Sequence, residues 1–292
     1  MTDTEDPAVP ALVREITEPG IYPDLTADDY HRDPWRPGGS LSSTGARKLL
    51  RSPATYRYGE DESTRRMDFG TASHAQVLGA GAEVVLVDRD RWDTSAVKEQ
   101  VAEIRARGGV PVKRAEYERI KAMTAKLAEH KSAAELFAGD SGQAEQALFW
   151  VDDEFGVPCR ALVDFLPYGA GGRVACPDYK TAESAAPAAV AKAIANYGYH
   201  VQGAHYCAGI EALRPGVEAR FVLVIQEIKP PYLVAVYQFG HDTIEEGRRG
   251  MREALEKYRD CRQAGVWPGY DPSEGITTID IPRWGYRYGD DW

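Results

Sequence analysis

The stretch from Gln143 to Lys180 constrains this chain most. Residues 143–151 alternate apolar and polar, and Asp152-Asp-Glu-Phe-Gly156 follows as a turn. Pro158–Pro167 reads as a second strand, Tyr168-Gly-Ala-Gly-Gly172 as a turn, and Arg173–Lys180 as a third strand. Strands separated by turns this short predict a meander of antiparallel hairpins. Such a sheet has to bury at least one face, and the helical stretches on either side of it supply the cover.

Upstream, Ser40–Thr44 precedes Ala46–Leu50: a serine cluster ahead of a helical pattern is an N-cap signal, and Pro53 stops that helix. Residues 71–80, 95–107 and 114–138 read as helices, with a short strand at Val84–Asp88 and a break at Gly108–Pro111. The third of these helices places Ile120, Met123 and Leu127 on one stripe. Downstream, 187–212 reads as one long helix, 219–228 and 232–239 as a hairpin across Pro230-Pro231, 242–264 as a last helix, and 276–281 as a strand. Residues 1–20, rich in Asp, Glu, Thr and Pro, read as a flexible lead-in, and 21–40 as irregular around three prolines and Gly38-Gly39. The order predicts an α+β fold: a central mixed β-sheet flanked by helices, in a single domain over 21–292.

A net charge of -10 weighs against a protein that coats nucleic acid with its whole surface, while leaving room for a local basic groove. No apolar run approaches the ~20 residues of a membrane helix, so no membrane association is expected. The acidic Met1–Pro10 lacks the basic flank and apolar core of a signal peptide, which predicts a cytoplasmic location. The cysteines Cys159, Cys176, Cys207 and Cys261 form no C-x-x-C pair and read as free, reduced thiols.

The chemistry concentrates in Asp164, Asp178 and Lys180. If the loop centres on Gly171, Asp164 and Asp178 stand opposite one another, with Cβ atoms about 4.5–5.5 Å apart. Two carboxylates that close repel unless something positive lies between them, and a divalent cation is the economical answer. Lys180, two residues after Asp178, projects from the same strand face. Acids, metal and ammonium together suit phosphodiester hydrolysis: the metal polarises a phosphoryl oxygen and acidifies a water, and the lysine steadies developing charge. A surface hairpin with a cross-strand salt bridge accounts for the same spacing.

Asp164 followed 14 positions later by Asp178-Tyr-Lys180 resembles the PD-(D/E)xK nuclease motif, and more specifically its RecE/RecB-like branch, related to lambda exonuclease. Gly70-Thr-Ala-Ser-His74 resembles the branch's upstream histidine motif, and Gln202-Gly-Ala-His-Tyr206 its Q-x-x-x-Y helix. Leu41–Ala54 and Trp267–Tyr270 resemble its terminal segments, so the likeness spans roughly residues 21–285. It implies a restriction-endonuclease-like core in which His74, Asp164 and Asp178, with the backbone carbonyl of Tyr179, bind Mg²⁺ or Mn²⁺. Lys180 would position or activate the attacking water, Gln202 and Tyr206 would line the site, and Glu145 would approach a second metal or its water. The third acid is Asp178, where many members carry Glu. The implied activity is 5′→3′ digestion of linear double-stranded DNA from its ends, leaving 3′ overhangs for recombination. A ring-shaped homo-oligomer and a RecT-like single-strand annealing recombinase would be the partners, in a phage or prophage setting inside a bacterial cell.

The likeness also implies a pocket for the DNA 5′-phosphate, for which the cluster Ser42, Ser43, Arg47, Lys48 and Arg51, around a helix N-terminus, is the candidate. A plain N-cap with a solvated basic face remains the alternative there. His200 and His205 read as structural, and Trp267, Tyr270, Trp284, Tyr286, Tyr288 and Trp292 as aromatics that pack the C-terminal segment onto the sheet. Other readings are a helicase-associated or CRISPR-associated nuclease of the same superfamily, an inert DNA-end binding module, and a hydrolase of small phosphoesters or glycosides.

Overall fold

A computed structural model describes residues 15–59, 65–89, 91–169, 172–270 and 275–282. Its elements run β1 (Gly20–Tyr22), α1 (Ala27–His31), α2 (Ser43–Arg51), α3 (Pro53–Tyr58), α4 (Arg65–Leu78), β2 (Val84–Leu86), α5 (Ser95–Ala106), β3 (Val110–Val112), α6 (Arg114–Glu129) and α7 (Lys131–Leu136). There follow β4 (Gly142–Val151), β5 (Pro158–Pro167), β6 (Gly172–Ala182), α8 (Pro187–Tyr197), α9 (Tyr199–Leu213), β7 (Val217–Glu227), β8 (Val234–Gln238) and α10 (His241–Ala264).

β4 and β5 form the expected antiparallel hairpin, its turn closed by Phe155 N–H donating to Asp152 Oδ1 (2.8 Å). β1 adds to the free edge of β4, antiparallel. The meander ends there. Among the described residues no ladder joins β5 to β6; β6 pairs in parallel with β7 along its whole length, and β7 pairs antiparallel with β8. The local cause lies in β6. Tyr179 N–H donates to the Asp164 side chain, and Pro177, facing the same edge two positions earlier, has no N–H to donate. A parallel pair requires a long crossover, and α8 and α9 supply it. The sheet is mixed, as the sequence predicts, but Asp164 and Asp178 are not partners across a hairpin.

Other expectations shift for local reasons. The predicted helix over 187–212 is two, because Gly198 takes a left-handed conformation (φ 66°) that ends α8. The helix predicted over 114–138 is α6 and α7, parted at His130, whose Nδ1 accepts from Ala133 N–H. The break at 108–111 holds β3, paired in parallel with β2, and the irregular 21–40 holds β1 and α1. Residues 276–281 form no strand and are exposed. Within the expected lead-in, Ile16 is buried and donates its N–H to Pro34 O; residues 1–14 lie outside the described residues. Pro53 ends α2 and also opens α3, which Ser52 caps.

One face of the strands is covered by α2, α9 and α10, with Leu49, Trp150, Ile210, Leu223 and Leu255 in a common core. α10 packs tightly on α9 because residue 247 is glycine: a Cβ there would stand 2.2 Å from His200 O. On the other side, Leu127 and Ala133 of α6 and α7 pack on Tyr179 and Val224. Ile16, Leu25, Tyr30 and Trp35 close the N-terminal end around Phe149. All four cysteines are free thiols, and among the described residues no helix is long and apolar enough to cross a membrane.

His205 is structural: fully buried on α9, it packs against Trp150 with the rings tilted at 48° (centroids 4.7 Å apart) and donates from Nε2 to Arg160 O (3.0 Å). Burial pushes its pKa down to about 4. Between that value and the ordinary ~6.5, the unfolded chain binds the proton that the folded chain refuses, so stability falls as pH drops through this window. The expected cost is on the order of 3 kcal/mol at the acid end. Thermal unfolding from pH 7 to 4 should show a shallower acid limb for His205→Gln than for the wild type; parallel limbs would contradict this assignment.

Candidate active site

Where β5 and β6 part, five elements converge. Asp164 comes from β5, Asp178 and Lys180 from β6, His74 from the middle of α4, Glu145 from β4 and Gln202 from α9. His74 is clamped at both nitrogens: Nδ1 lies 3.0 Å from Glu145 Oε1 and Nε2 lies 2.7 Å from Asp164 Oδ2. The same Asp164 oxygen accepts Tyr179 N–H at 2.7 Å. Asp178 is fully buried; Oδ1 accepts from Gln202 Nε2 (2.8 Å), and Oδ2 lies 2.5 Å from Lys180 Nζ, outside hydrogen-bond geometry. Lys180 keeps about a quarter of its side chain exposed, its Nζ 5.8 Å from the Tyr199 ring centroid.

Below this layer, Tyr179 points to the opposite face and donates to Gln226 Oε1 (2.7 Å), while Gln226 Nε2 donates to Met123 O (2.8 Å). That buried relay ties the lysine strand to α6. Glu145 occupies a left-handed backbone conformation (φ 51°), and the β4–β5 register passes from Ala144↔Phe165 to Gln146↔Val163, omitting Glu145 and Asp164. A non-glycine residue there costs about 1 kcal/mol, strain of the kind found at functional sites.

The electrostatics follow from burial and mutual charge. Burial alone would lower the His74 pKa, but Asp164 and Glu145 raise it to about 10, so the ring is cationic at neutral pH. Burial alone would raise Asp164, but the charges of His74 and Lys180 hold it low. Asp178 goes up, to about 6: burial outweighs Lys180, and Asp164 adds repulsion. Lys180 is held charged by both aspartates against the penalty of burial. Among the described residues no three His, Cys, Asp or Glu side chains already stand in a metal-binding array. Both His74 nitrogens face carboxylates, and Asp178 faces Lys180.

Tyr206, one turn after Gln202 on α9, is buried, has Gln202 as a side-chain hydrogen-bond partner and lines a neighbouring cavity of about 960 Å³. Ser42 and Ser43 line that cavity too, Ser42 as the N-cap of α2. Arg47 and Arg51, grouped with them on sequence grounds, do not. Arg47 donates to Ser43 O, Thr44 Oγ1 and Tyr197 O, and Arg51 is exposed at the far end of α2. The cations that line it are Lys48, Arg57, Arg160 and Arg262, and Asp33, also on its wall, pairs with Arg160 (2.6 Å). Arg160 precedes Asp164 by four positions on β5 and shares its face, a strand-parity signal present in the sequence. Tyr199, Arg57 and Arg262 had no such signal, since folding alone brings them here. Trp267 packs on Tyr56 and Tyr258 of α3 and α10 instead of on the sheet, and Tyr270 is exposed. Trp284, Tyr286, Tyr288, Trp292 and the turn residue Gly171 lie outside the described residues.

Two aspartates and a lysine, where the antiparallel β1-β4-β5 sheet meets the mixed β6-β7-β8 sheet between flanking helices, define the core of the PD-(D/E)xK nuclease class. Residues 43–280 match the family described as a PDDEXK-like domain of unknown function (DUF3799), and the chain belongs to that family. The fold is also that of a crystal structure of a candidate exonuclease from Eubacterium rectale, with a TM-score of 0.57 at 13% identity over 89% of this chain and 96% of that one. No curated protein matches this sequence.

Removing Lys180 leaves the Asp178 carboxylate buried without its counter-charge. Lys180→Met is expected to lose roughly 3 kcal/mol in urea unfolding at pH 7 with chelator present. The double variant Asp178→Asn/Lys180→Met should recover part of that loss, because the uncompensated charge is gone; equal stability of the two variants would argue against a buried ion pair.

Proposed function

We propose that this protein is a metal-dependent exodeoxyribonuclease that digests linear double-stranded DNA 5′→3′ and leaves 3′ single-stranded tails for homologous recombination. The nuclease chemistry rests on one observation: a buried Asp164–Asp178–Lys180 cluster, reached by His74, in a PDDEXK-like domain. Attack from DNA ends, and its direction, rest on the resemblance of the ordered motifs to the RecE/RecB-like branch. The fold shared with a candidate exonuclease is consistent with this. The same resemblance supports a RecT-like annealing partner, a ring-shaped homo-oligomer and a place in the bacterial cytoplasm.

The donor set suits a hard divalent cation. Asp164 and Asp178 offer buried carboxylate oxygens, and the proton that His74 holds against Asp164 is what a cation would displace. His74, Asp164 and Asp178 would hold Mg²⁺ or Mn²⁺, with the Tyr179 carbonyl as a further oxygen. When bound, the ion supplies Lewis acidity toward the phosphoryl oxygen and the attacking water. Lys180, charged and partly exposed, orients that water and steadies negative charge developing on the phosphate. Gln202 fixes the rotamer of Asp178, and the Tyr199 ring limits the swing of Lys180. The neighbouring cavity, with Lys48, Arg57, Arg160 and Arg262 around the N-terminus of α2, is the place for the DNA 5′-phosphate, with Ser42 and Ser43 at its wall.

Linear duplex DNA labelled at either 5′ or 3′ ends, incubated with Mg²⁺, tests the activity. The wild type should release 5′ label as mononucleotides, and Asp178→Ala and Lys180→Ala should lower the rate by at least about a hundredfold. A wild type that binds ends but cuts nothing with any divalent metal would favour an inert end-binding module. For the phosphate pocket, Lys48→Ala/Arg262→Ala is expected to reduce the preference for 5′-phosphorylated over 5′-hydroxyl ends roughly tenfold. Arg47→Ala should retain that preference, and the opposite pattern would return the pocket to the outer face of α2.

A further inference from the structure

We infer that Glu145 is a positioning residue that holds His74 by Nδ1, so that Nε2 is the nitrogen presented to Asp164 and to the metal. The inference rests on the metal reading above and goes beyond it, because it gives Glu145 a role through His74 in place of an approach to a second metal or its water.

The contact itself is the first observation. Glu145 Oε1 lies 3.0 Å from Nδ1, while Nε2 lies 2.7 Å from the Asp164 carboxylate. The imidazole is therefore oriented from both ends, and only the Asp164 end belongs to the acid pair. The backbone is the second. Glu145 has a left-handed φ of 51°, and the β4–β5 ladder omits the 145/164 pair while it is regular on either side. A strand irregularity beside an active site re-aims a side chain, and strain of this kind persists only where the surroundings over-determine it. Here the surroundings include Gly81, which follows α4: a Cβ on it would stand 3.6 Å from Glu145 Oε1. The third is general chemistry. A histidine that ligates a metal through one nitrogen commonly donates its other N–H to a carboxylate, which fixes the tautomer and the ring plane. Glu145 stands where that acceptor is required.

The test measures Mn²⁺ binding by the EPR signal of the free ion, for wild type, Glu145→Gln, Glu145→Ala, His74→Ala and the Glu145→Ala/His74→Ala double variant. In parallel, the imidazole N–H protons of the metal-free protein are followed by NMR. Glu145→Ala should weaken Mn²⁺ roughly 10- to 100-fold without changing the number of ions bound. Glu145→Gln, whose amide oxygen still accepts from Nδ1, should stay within about threefold of wild type. The double variant should bind no more weakly than His74→Ala alone. In the NMR spectrum the Nδ1 proton of His74 should survive in Glu145→Gln and be lost to exchange in Glu145→Ala. If Glu145→Ala fails to fold, Glu145→Gly removes the carboxylate while accepting the left-handed φ. An unchanged affinity in Glu145→Ala, one ion fewer bound, or additive losses in the double variant would each overturn the positioning role alone. A wild type that binds no Mn²⁺ overturns the metal reading and this inference with it.

Discussion

One oxygen organises the centre of this molecule. Asp164 Oδ2 accepts the backbone N–H of Tyr179 and faces His74 Nε2, each at 2.7 Å. A buried N–H needs a partner, and here a side chain replaces the carbonyl that a neighbouring strand would offer. β5 and β6 therefore run side by side without a ladder, and the site lies in the gap between them. β6 takes its partner from the other side, in parallel with β7. That pairing obliges the chain to cross over through α8 and α9, which brings Gln202 onto Asp178 and Tyr206 to the mouth of the basic cavity.

Charge balance explains why so many ionisable groups tolerate burial together. Glu145, Asp164 and Asp178 face His74 and Lys180, an arrangement one negative charge in excess. Buried ions of one sign are expensive, and a pair is tolerated only when geometry and hydrogen bonds offset desolvation. Here His74 and Lys180 each sit against a carboxylate. Burial and the neighbouring Asp164 push the Asp178 carboxyl up against the opposing pull of Lys180. The neighbouring cavity draws its cations from α2, α3, β5 and α10. Local segregation of sign is how a chain with a net charge of -10 can present a basic pocket to a polyanion.

Elements with strong local signals were readable in advance. The β4–β5 hairpin follows from alternation around a glycine turn, α2 from its serine cap, and α10 from a long amphipathic repeat closed by Gly265. The mixed, helix-flanked character of the sheet followed from the order of elements. The partner of β6 was not readable, because the short turn ahead of the strand favours a hairpin with β5, and only a competing pairing 45 residues away along the chain decides otherwise. The division of the crossover at Gly198 was similarly hidden, since glycine inside a helical pattern is ambiguous until the fold sets its conformation, here left-handed, with Arg47 so close that a Cβ would stand 2.8 Å from its Cδ.

For the site, the residue types were legible in advance: two aspartates and a lysine at strand spacing, a histidine upstream, and Gln202 and Tyr206 one helical turn apart. Those are properties of short segments, and periodicity alone places such residues on a common face. How they meet follows from the folded arrangement. Asp164 reaches the backbone of Tyr179 instead of standing across from Asp178, Glu145 is bent onto His74, and Arg47 is spent on the α8–α9 junction while Arg160 and Arg262 enter the pocket. Each of these contacts joins different elements, from the neighbouring β5 and β6 to α2 and the α8–α9 junction 150 residues apart. Their geometry is set by which strands pair and which helices cross, and local pattern carries no information about either.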